Sequence, residues 1–244
     1  MAECLVPEKV LPHFIECIYV ARDTNIEEIR ITVEQSAQKA IDVVSESYVF
    51  FQPQQQIRLT QNITLIEGDL FFSKMQTLTT SVNTVGVMGK GLASRAKYQF
   101  PDVYVEYQDL CKAKELQVGK PYLIRRETSL MSDLSETPFE YGEATWFLLF
   151  PTKKHWREDS RMKYIVDGLT WVQSHYQSWG VRSLALPALG CGLGKLEWQE
   201  VGPIICSTVV HFDIPVCVYL PTEKPIAPEY LTREYLLQGR DRLI

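Results

Sequence analysis

The feature that most constrains this chain is the regular alternation of short apolar strands with longer amphipathic segments between residues 62 and 220. The predicted strands cover residues 63–66, 78–83, 122–124, 146–150, 183–186 and 216–220. The predicted helices cover residues 91–100, 101–113, 160–179 and 197–210. An alternation of this kind predicts a three-layer α/β/α domain with a mixed central sheet.

Composition divides the chain into four parts. We predict a small N-terminal α/β appendage at 1–51, a Gln-rich linker at 52–61, the alternating domain at 62–221 and a C-terminal tail at 222–244. Within the appendage we expect strands at 14–20 and 49–51 and a helix that Asn25 caps. In the main domain, Ser160 is expected to cap the start of a long helix and Gly180 its end. The tail is rich in proline and charge, so we expect it on the surface.

Composition and charge exclude several classes of protein. The chain is 45% hydrophobic and 23% charged, as ordinary globular proteins are. No apolar run approaches the ~20 residues that cross a membrane, and the first residues lack the basic stretch that opens a secretory signal. Thirty acidic residues against 25 basic ones give a net charge of −5. That balance argues against bulk electrostatic binding to nucleic acid, while a local basic cleft stays open.

The six cysteines indicate a reducing compartment. They form no CxxC pair and no close His–Cys cluster typical of zinc sites. Most lie in apolar runs, where free cysteine packs as a small hydrophobic residue. We therefore expect reduced thiols, a cytoplasmic location and no metal centre.

Two glycine-rich loops follow predicted strands, at the position where open α/β sheets bind ligands. The first, residues 83–91, leads into a helix, so its amides and the helix dipole favour an anion. Its spacing matches neither a Walker A motif nor GxGxxG, and a plain turn is the alternative. The second, residues 190–194, is arranged in the same way. Two such loops on one sheet edge suit a ligand with a pyrophosphate, such as a dinucleotide or ADP-ribose.

Two single residues leave alternatives open. Cys191 lies beside a predicted helix start, where a lowered thiol pKa would make it a nucleophile. Since the sequence offers no clear partner base, a small packing residue is the preferred interpretation. Asp69 follows the first strand of the main domain, where a carboxylate either accepts a hydrogen bond from an adenine amino group or caps a turn.

A third loop follows the strand at 146–150 and concentrates basic and aromatic side chains in an otherwise acidic chain. Lys154, His155, Trp156 and Arg157 have the composition of a surface that contacts phosphates and stacks on bases of nucleic acid. Lys153 comes at the strand end, where partial desolvation next to another cation depresses the pKa of a lysine and makes it an amine nucleophile. A solvated surface pair is the alternative for the two lysines.

Together these loops resemble the macrodomain, an ADP-ribose-binding α/β/α fold, over residues 62–220. The motifs IEGDL, VNTVGVMGKGLA, FPTKKHWRE and ALGCGLGKLEW are most similar to those of DarG-type DNA ADP-ribosyl glycohydrolases, antitoxins that remove ADP-ribose from DNA bases. The resemblance implies that Lys153 is the catalytic nucleophile, which attacks the anomeric carbon of the distal ribose, and that the next four residues contact DNA. It implies ligand contacts from Asp69, Leu70, Asn83, Gly86, Val87, Met88, Gly89, Lys90, Gly91, Pro151, Thr152, Gly190, Cys191, Gly192, Leu193 and Gly194.

The resemblance also implies the partners of the chain. These are ADP-ribosylated single-stranded DNA, with thymine as the preferred base, ADP-ribose as ligand and product, and a cognate DarT-like toxin, for which a fused domain is one arrangement. Neither a cofactor nor a metal nor a membrane is implied. The alternatives are a non-catalytic ADP-ribose reader, a module that neutralises a toxin by contact, and an enzyme acting on ADP-ribose 1″-phosphate.

The chain departs from the family pattern at Thr80, which stands where an Asn is expected and leaves one substrate contact open. A related subgroup has an Asp that resolves the lysine adduct where this chain has Gly194, as is usual for DarG-like sequences. The N-terminal segment resembles the C-terminal tail of DarT-type DNA ADP-ribosyltransferases, with Glu3 at the catalytic glutamate. A toxin–antitoxin fusion cut inside its toxin half explains this arrangement. We expect no transferase activity, and NAD consumption with DNA would contradict that.

Overall fold

The computed structural model describes residues 17–20, 26–37, 41–45, 55–127, 145–221 and 224–237, and the chain divides into two compact units between Gln54 and Gln55. The N-terminal unit holds strand β1 (Cys17–Val20), helix α1 (Ile26–Ala37) and strand β2 (Asp42–Ser45). β1 and β2 pair in parallel, so α1 is the crossover between them. β1 and α1 lie where the sequence predicted a strand and a helix. β2 was not predicted, whereas Asn25 and the predicted strand 49–51 lie outside the described residues.

The second unit is built on a mixed sheet. Its described strands are β3 (Gln55–Arg58), β4 (Ile63–Glu67), β5 (Thr77–Val82), β6 (Tyr122–Ile124), β7 (Trp146–Pro151), β8 (Leu184–Pro187) and β9 (Val216–Tyr219). Their order across the sheet is β3-β4-β9-β8-β5-β7-β6. The inner strands are parallel to one another, and the edge strands β3 and β6 are antiparallel to their neighbours. The mixed sheet that the sequence predicted is confirmed.

Helices cover both faces of this sheet. They are α2 (Gly91–Gln99), α3 (Pro101–Lys112), α4 (Met162–Trp179), α5 (Trp198–Val209) and α6 (Arg233–Leu237). Successive side chains of β7 point to opposite faces. Phe147 and Leu149 pack with residues of α2 and α3, whereas Leu148 and Phe150 pack with residues of α4 and α5. The two hydrophobic clusters therefore lie on opposite sides of the sheet, as the predicted three-layer α/β/α fold requires.

The predicted linker at 52–61 is wrong from residue 55 onward. Gln55–Arg58 forms β3, which pairs with β4 from Gln55 opposite Glu67 to Arg58 opposite Thr64. Ile57 packs against the core, while the other three side chains of β3 are exposed. β3 is an edge strand, and all its side chains except Ile57 face water. Its sequence is therefore as polar as that of a linker.

The predicted surface tail is wrong at its centre. Leu231 and Leu236 are buried in the cluster that contains α5, and α6 lies against that helix. The indole N–H of Trp198 donates to the carbonyl oxygen of Tyr230 at 3.2 Å. Two leucines among charged residues give little periodic signal, yet they anchor this segment to the core.

The long helix α4 ends as predicted but begins differently. Gly180 takes the left-handed conformation, with φ of 77°, and its N–H bonds the last turn of the helix. Ser160 is not the cap, because α4 begins at Met162 and Arg161 occupies the capping position without a side-chain hydrogen bond. Ser160 is buried instead. Among the described residues, no helix is both long and apolar enough to span a membrane.

Candidate active site

The loops that the sequence singled out all leave the sheet at the carboxyl ends of its parallel strands. Because β4, β5, β7 and β8 are parallel, the segments that follow them begin at the same end of the sheet. We call these segments the β5 loop (83–91), the β7 loop (152–160) and the β8 loop (188–196), and Asp69 follows β4. The predicted site residues are thus gathered at one edge of the fold.

Asn83 organises the β5 loop through its side chain. Its Oδ1 accepts the N–H groups of Val85 at 3.0 Å and Val87 at 3.4 Å, and its Nδ2 donates to the carbonyl oxygen of Val87 at 2.6 Å. The buried hydroxyl of Tyr107 donates to Oδ1 at 2.9 Å and to the carbonyl oxygen of Asn83 at 3.0 Å. This predicted ligand-binding residue therefore also fixes the shape of its loop.

The rest of the β5 loop is divided between surface and core. Its exposed residues include Val87, Gly89, Lys90 and Gly91. Gly86 has φ of 80° and Gly91 has φ of 61°, both in the region that favours glycine. The unpaired amides of the first turn of α2 follow directly. Met88 is only 2% exposed and belongs to the core, so this residue can offer a ligand its backbone alone.

Hydrogen bonds join the β7 loop to the β5 loop. The N–H of Thr152 donates to the carbonyl oxygen of Val82 at 3.0 Å. Both the N–H and the Oγ1 of Thr84 donate to the carbonyl oxygen of Lys154, each at 3.0 Å. The backbone is therefore held on both sides of Lys153.

The side chain of Lys153 reaches from the β7 loop to the β8 loop. Its Nζ donates to the carbonyl oxygen of Leu193 at 3.0 Å. Burial lowers the pKa of the Lys153 amine, and the charge of Lys195 lowers it further, while the carboxylates of Asp159 and Glu158 act in the opposite direction. A lowered pKa increases the neutral amine, which is the nucleophilic form. Lys153 is thus partly desolvated, as the sequence suggested, but the cation that acts on it is Lys195 rather than the adjacent Lys154, and its role as a nucleophile stays a prediction.

Backbone hydrogen bonds brace the β8 loop. Each is 3.0 Å long, from Cys191 to Ala188, from Lys195 to Gly192, from Leu196 to Gly190 and from Ser160 to Gly194. The Gly190 backbone has φ of 79°. A Cβ placed on Gly194 would overlap the carbonyl oxygen of Gly190 and the Oγ of Ser160. Position 194 therefore accepts only glycine, and no side chain can act on a ligand from there.

Cys191 is half-buried within this loop. It packs against the hydrophobic cluster of α4 and α5, and its Sγ lies 3.9 Å from the carbonyl oxygen of Leu189. Within the described residues, no group of three or more His, Cys, Asp or Glu side chains is placed to hold a metal ion. The packing role of Cys191 is the one that these contacts support.

Asp69 caps a turn and also forms an ion pair. Its Oδ1 accepts the N–H of Phe71 at 3.0 Å, at the start of the 3-10 helix Leu70–Phe72, and its Oδ2 lies 2.7 Å from Nη1 of Arg95. The guanidinium carbon of Arg95 is 4.9 Å from the ring centroid of Phe71. Leu70 is 3% exposed, so it too offers a ligand only its backbone. The adenine contact of Asp69 stays a prediction.

An exposed aromatic cluster follows Lys153. Trp156 is 47% exposed, the guanidinium carbon of Arg157 lies 4.5 Å from its ring centroid, and the His155 ring centroid lies 5.3 Å away. Lys154 is exposed as well. The four predicted nucleic-acid contacts thus form one accessible surface on the β7 loop. Leu193, on the neighbouring β8 loop, is 61% exposed.

The sequence missed three residues at this edge of the sheet. They are Arg95, Tyr107 and Tyr219. Tyr219 ends β9, opposite Ile66. Burial raises its pKa to about 12, although a hydrogen bond with Ser73 acts in the opposite direction. Arg95 and Tyr107 lie on helices, and Tyr107 follows the apolar period of α3 with Val103 and Leu110. Its hydroxyl on an otherwise apolar face was the one available signal.

The departure from the family pattern at Thr80 lies within a strand. Thr80 is part of β5 and is fully buried, and its Oγ1 has no hydrogen-bond partner among the described residues. The β5 loop begins three residues later, at Asn83. Thr80 therefore belongs to the core, and the substrate contact that the sequence left open stays a prediction.

Comparison with known proteins gives a consistent result. Residues 79–205 match the Macro domain family. A curated relative from Thermosipho africanus, named a DNA ADP-ribosyl transferase-DNA ADP-ribosyl glycohydrolase fusion protein, is 52% identical over 242 residues, which are 98% of this chain and 62% of the relative. The chain thus spans about three fifths of the length of that relative.

Solved structures agree. Thermosipho africanus DarTG in complex with ADP-ribose matches with a TM-score of 0.76 and 52% identity, over 95% of this chain and 60% of that chain. The macrodomain of Mycobacterium tuberculosis DarG matches with a TM-score of 0.57 and 33% identity, over 66% of this chain and 98% of that chain. The resemblance to DarG macrodomains seen in the loops is confirmed.

Proposed function

Because this chain belongs to the macro domain family, we propose that it is a DNA ADP-ribosyl glycohydrolase, which removes ADP-ribose from a modified DNA base. The observation that carries the proposal is the position of Lys153. Its amine lies against the β8 loop carbonyl of Leu193, with a pKa that burial lowers. A pure binding loop has no need of a desolvated amine next to its glycines.

The proposed reaction proceeds in two steps. Neutral Lys153 attacks the anomeric carbon of the distal ribose, a C–N bond to Nζ forms, and the base departs with the electron pair of the broken glycosidic bond and takes up a proton. Water then hydrolyses the lysine adduct and releases ADP-ribose. Because Gly194 carries no side chain, a water molecule or another group must assist the second step.

The backbone holds the ligand in this proposal. The amides of residues 190–194 and of the β5 loop would bind the diphosphate and distal ribose, as backbone amides near helix starts bind anions. Asp69 would accept a hydrogen bond from the adenine amino group. No metal or cofactor takes part in these steps.

Single-stranded DNA is the proposed substrate. The exposed ring of Trp156 offers a stacking surface for an unpaired base, and Lys154 and Arg157 offer contacts to phosphates. The modified base is proposed to be thymine. The fusion relative aligns with 98% of this chain, which supports assigning residues 1–51 to the end of a transferase half and residues 62–221 to the macrodomain. A DarT-like toxin in the cytoplasm is then the proposed partner.

A non-catalytic ADP-ribose reader is the second candidate. The observation that favours it is the absence of any side chain at Gly194, since that position then supplies no acid or base to resolve an adduct. A reader would bind ADP-ribose with the same loops and would leave the DNA-linked bond intact.

The test is an oligonucleotide that carries ADP-ribosyl-thymine, incubated with the wild type, with Lys153→Ala and with Lys163→Ala. Lys163 is an exposed lysine that pairs with Asp167 on α4, so its variant controls for loss of a surface charge. We expect release of ADP-ribose by the wild type and by Lys163→Ala but not by Lys153→Ala. Binding of ADP-ribose without release from thymine- or guanine-linked DNA would establish the reader instead.

A further inference from the structure

Tyr107 lies on α3, outside every motif that the sequence singled out. Its side chain is fully buried, and its hydroxyl donates to both the carbonyl oxygen and the Oδ1 of Asn83. Burial strongly raises the pKa of Tyr107, so the hydroxyl keeps its proton throughout the working range of the protein. It is therefore a permanent donor beneath the β5 loop.

The amide of Asn83 is committed to the loop. Oδ1 accepts from Val85, Val87 and Tyr107, while one N–H of Nδ2 is used by the carbonyl oxygen of Val87. Its side chain is 6% exposed. Any ligand bound by this loop thus meets backbone amides whose directions depend on how Asn83 is held.

The same hydrogen bonds extend to Lys153. Thr84, the next residue after Asn83, donates through both its N–H and its Oγ1 to the carbonyl oxygen of Lys154. A shift of Asn83 therefore moves Thr84 and, through it, the backbone next to the amine. The path from Tyr107 to the carbonyl oxygen of Lys154 consists of two buried hydrogen bonds to Asn83 and an exposed one from Thr84, all 2.9–3.0 Å long.

We infer that Tyr107 is a positioning residue: through Asn83 and Thr84, its hydroxyl fixes the amides of the β5 loop and the backbone that carries Lys153. The inference rests on the proposed function, because it assigns Tyr107 to that same site. Tyr107 touches neither the substrate nor the reacting atoms. Its effect on the reaction is on geometry, and small misplacements of reacting groups cost large factors in rate.

The variant Tyr107→Phe removes the donor and keeps the ring. It leaves two buried oxygens of Asn83 without this partner, which loosens the loop. We expect the affinity for ADP-ribose and the kcat for release from DNA each to fall about tenfold. Tyr104→Phe is the matched control, because Tyr104 lies one turn earlier on α3 and its ring centroid is 6.3 Å from that of Tyr107.

A double-mutant cycle separates positioning from packing. ADP-ribose affinity is measured by calorimetry for the wild type, Tyr107→Phe, Asn83→Ala and the double variant. We expect Tyr107→Phe to cost less affinity in the Asn83→Ala background than in the wild type, because the Asn83 side chain is then absent and of the two Asn83 oxygens only the carbonyl still accepts from the hydroxyl. Effects that simply multiply, or a Tyr107→Phe variant that behaves like Tyr104→Phe, would overturn the inference.

Thr84→Val tests the second half of the path. It removes one exposed hydrogen bond to the carbonyl oxygen of Lys154 and leaves the one from the Thr84 N–H in place. We expect kcat to fall with KM unchanged, and an unchanged kcat would exclude the link to Lys153 even if Tyr107→Phe failed to fold. If the wild type released no ADP-ribose from DNA, the proposed function would fail, while the binding cycle would still decide the role of Tyr107.

Discussion

Lys153 owes its chemistry to its surroundings. The adjacent Lys154 has its side chain in solvent, whereas Lys153 is part-buried and bonded to Leu193 of another loop. Burial disfavours the ammonium form, and the pair formed by Asp159 and Lys195, 3.0 Å apart, sets the local field. The same residue type thus gives a solvated charge at one position and, at the adjacent position, an amine with a lowered pKa, as the proposed nucleophile requires.

The first prediction concerns the pH dependence of the reaction. Only the neutral amine attacks, so the rate should rise with pH through the pKa of Lys153, with a midpoint below that of an ordinary lysine. Lys195→Met removes a repelling charge and should shift the midpoint to higher pH. Asp159→Asn removes an attracting charge and should shift it to lower pH. Single-turnover rates measured against pH give both shifts, and shifts of the same sign would contradict the assignment.

The second prediction concerns Gly194. An added Cβ would overlap backbone and the buried Ser160, so Gly194→Ala should shift the β8 loop. We expect a loss of ~1–3 kcal/mol in the free energy of unfolding and a matching loss of ADP-ribose affinity. Urea unfolding and calorimetry measure both. Gly89→Ala is the control for stability, since its Cβ would meet Val87 at 4.0 Å, an ordinary contact.

At the scale of elements, the β7 loop connects the parts of the site. Its backbone receives hydrogen bonds from Thr84 of the β5 loop, and Lys153 and Ser160 donate to carbonyl oxygens of the β8 loop. Parallel strands bring these three loops together although more than a hundred residues separate the first from the last. One loop thereby connects the two glycine-rich loops to an exposed aromatic surface.

The third prediction belongs to this loop. Trp156→Ala should weaken binding of ADP-ribosylated single-stranded DNA about tenfold, because stacking of a base on an aromatic ring is lost. Binding of free ADP-ribose should be unchanged, since the proposed ligand contacts come from other residues and Trp156 is assigned only to the DNA. Tyr98→Ala is the matched control, an aromatic residue that is 76% exposed on α2. Equal losses for DNA and free ADP-ribose would show that Trp156 supports the ligand site itself.

At the scale of the whole molecule, the two hydrophobic clusters on the faces of the large sheet come from one part of the chain. Their described residues lie between Ile57 and Leu237. The boundary between the compact units lies at Gln54 and Gln55, and β3 belongs to the second unit. The second unit therefore contains what a domain needs to fold by itself.

The fourth prediction follows from that distribution. A protein of residues 55–244 should unfold cooperatively and bind ADP-ribose as tightly as the full chain. A protein of residues 62–244, which begins where the sequence placed the domain, lacks β3 and exposes one edge of β4. We expect it to be less stable and to aggregate more readily. Thermal unfolding followed by circular dichroism compares the two, and equal stability would show that β3 is dispensable.

The sequence by itself determined the three layers, the mixed sheet and the positions of the glycine-rich and basic loops, because periodicity and glycine placement are local properties of the chain. It also identified Lys153 by composition and by resemblance. Tertiary structure alone decided that β3 is an edge strand, that α6 is anchored by Leu236, and that Ser160 lies beneath Gly194.

Tertiary structure also decided how the site is held together. The bond from Tyr107 to Asn83 spans 24 positions, and that from Lys153 to Leu193 spans 40. No local pattern encodes such pairs, because each depends on which strands become neighbours in the sheet. The residue types set what chemistry is available, and the folded geometry selects which amine is desolvated and which loop it meets.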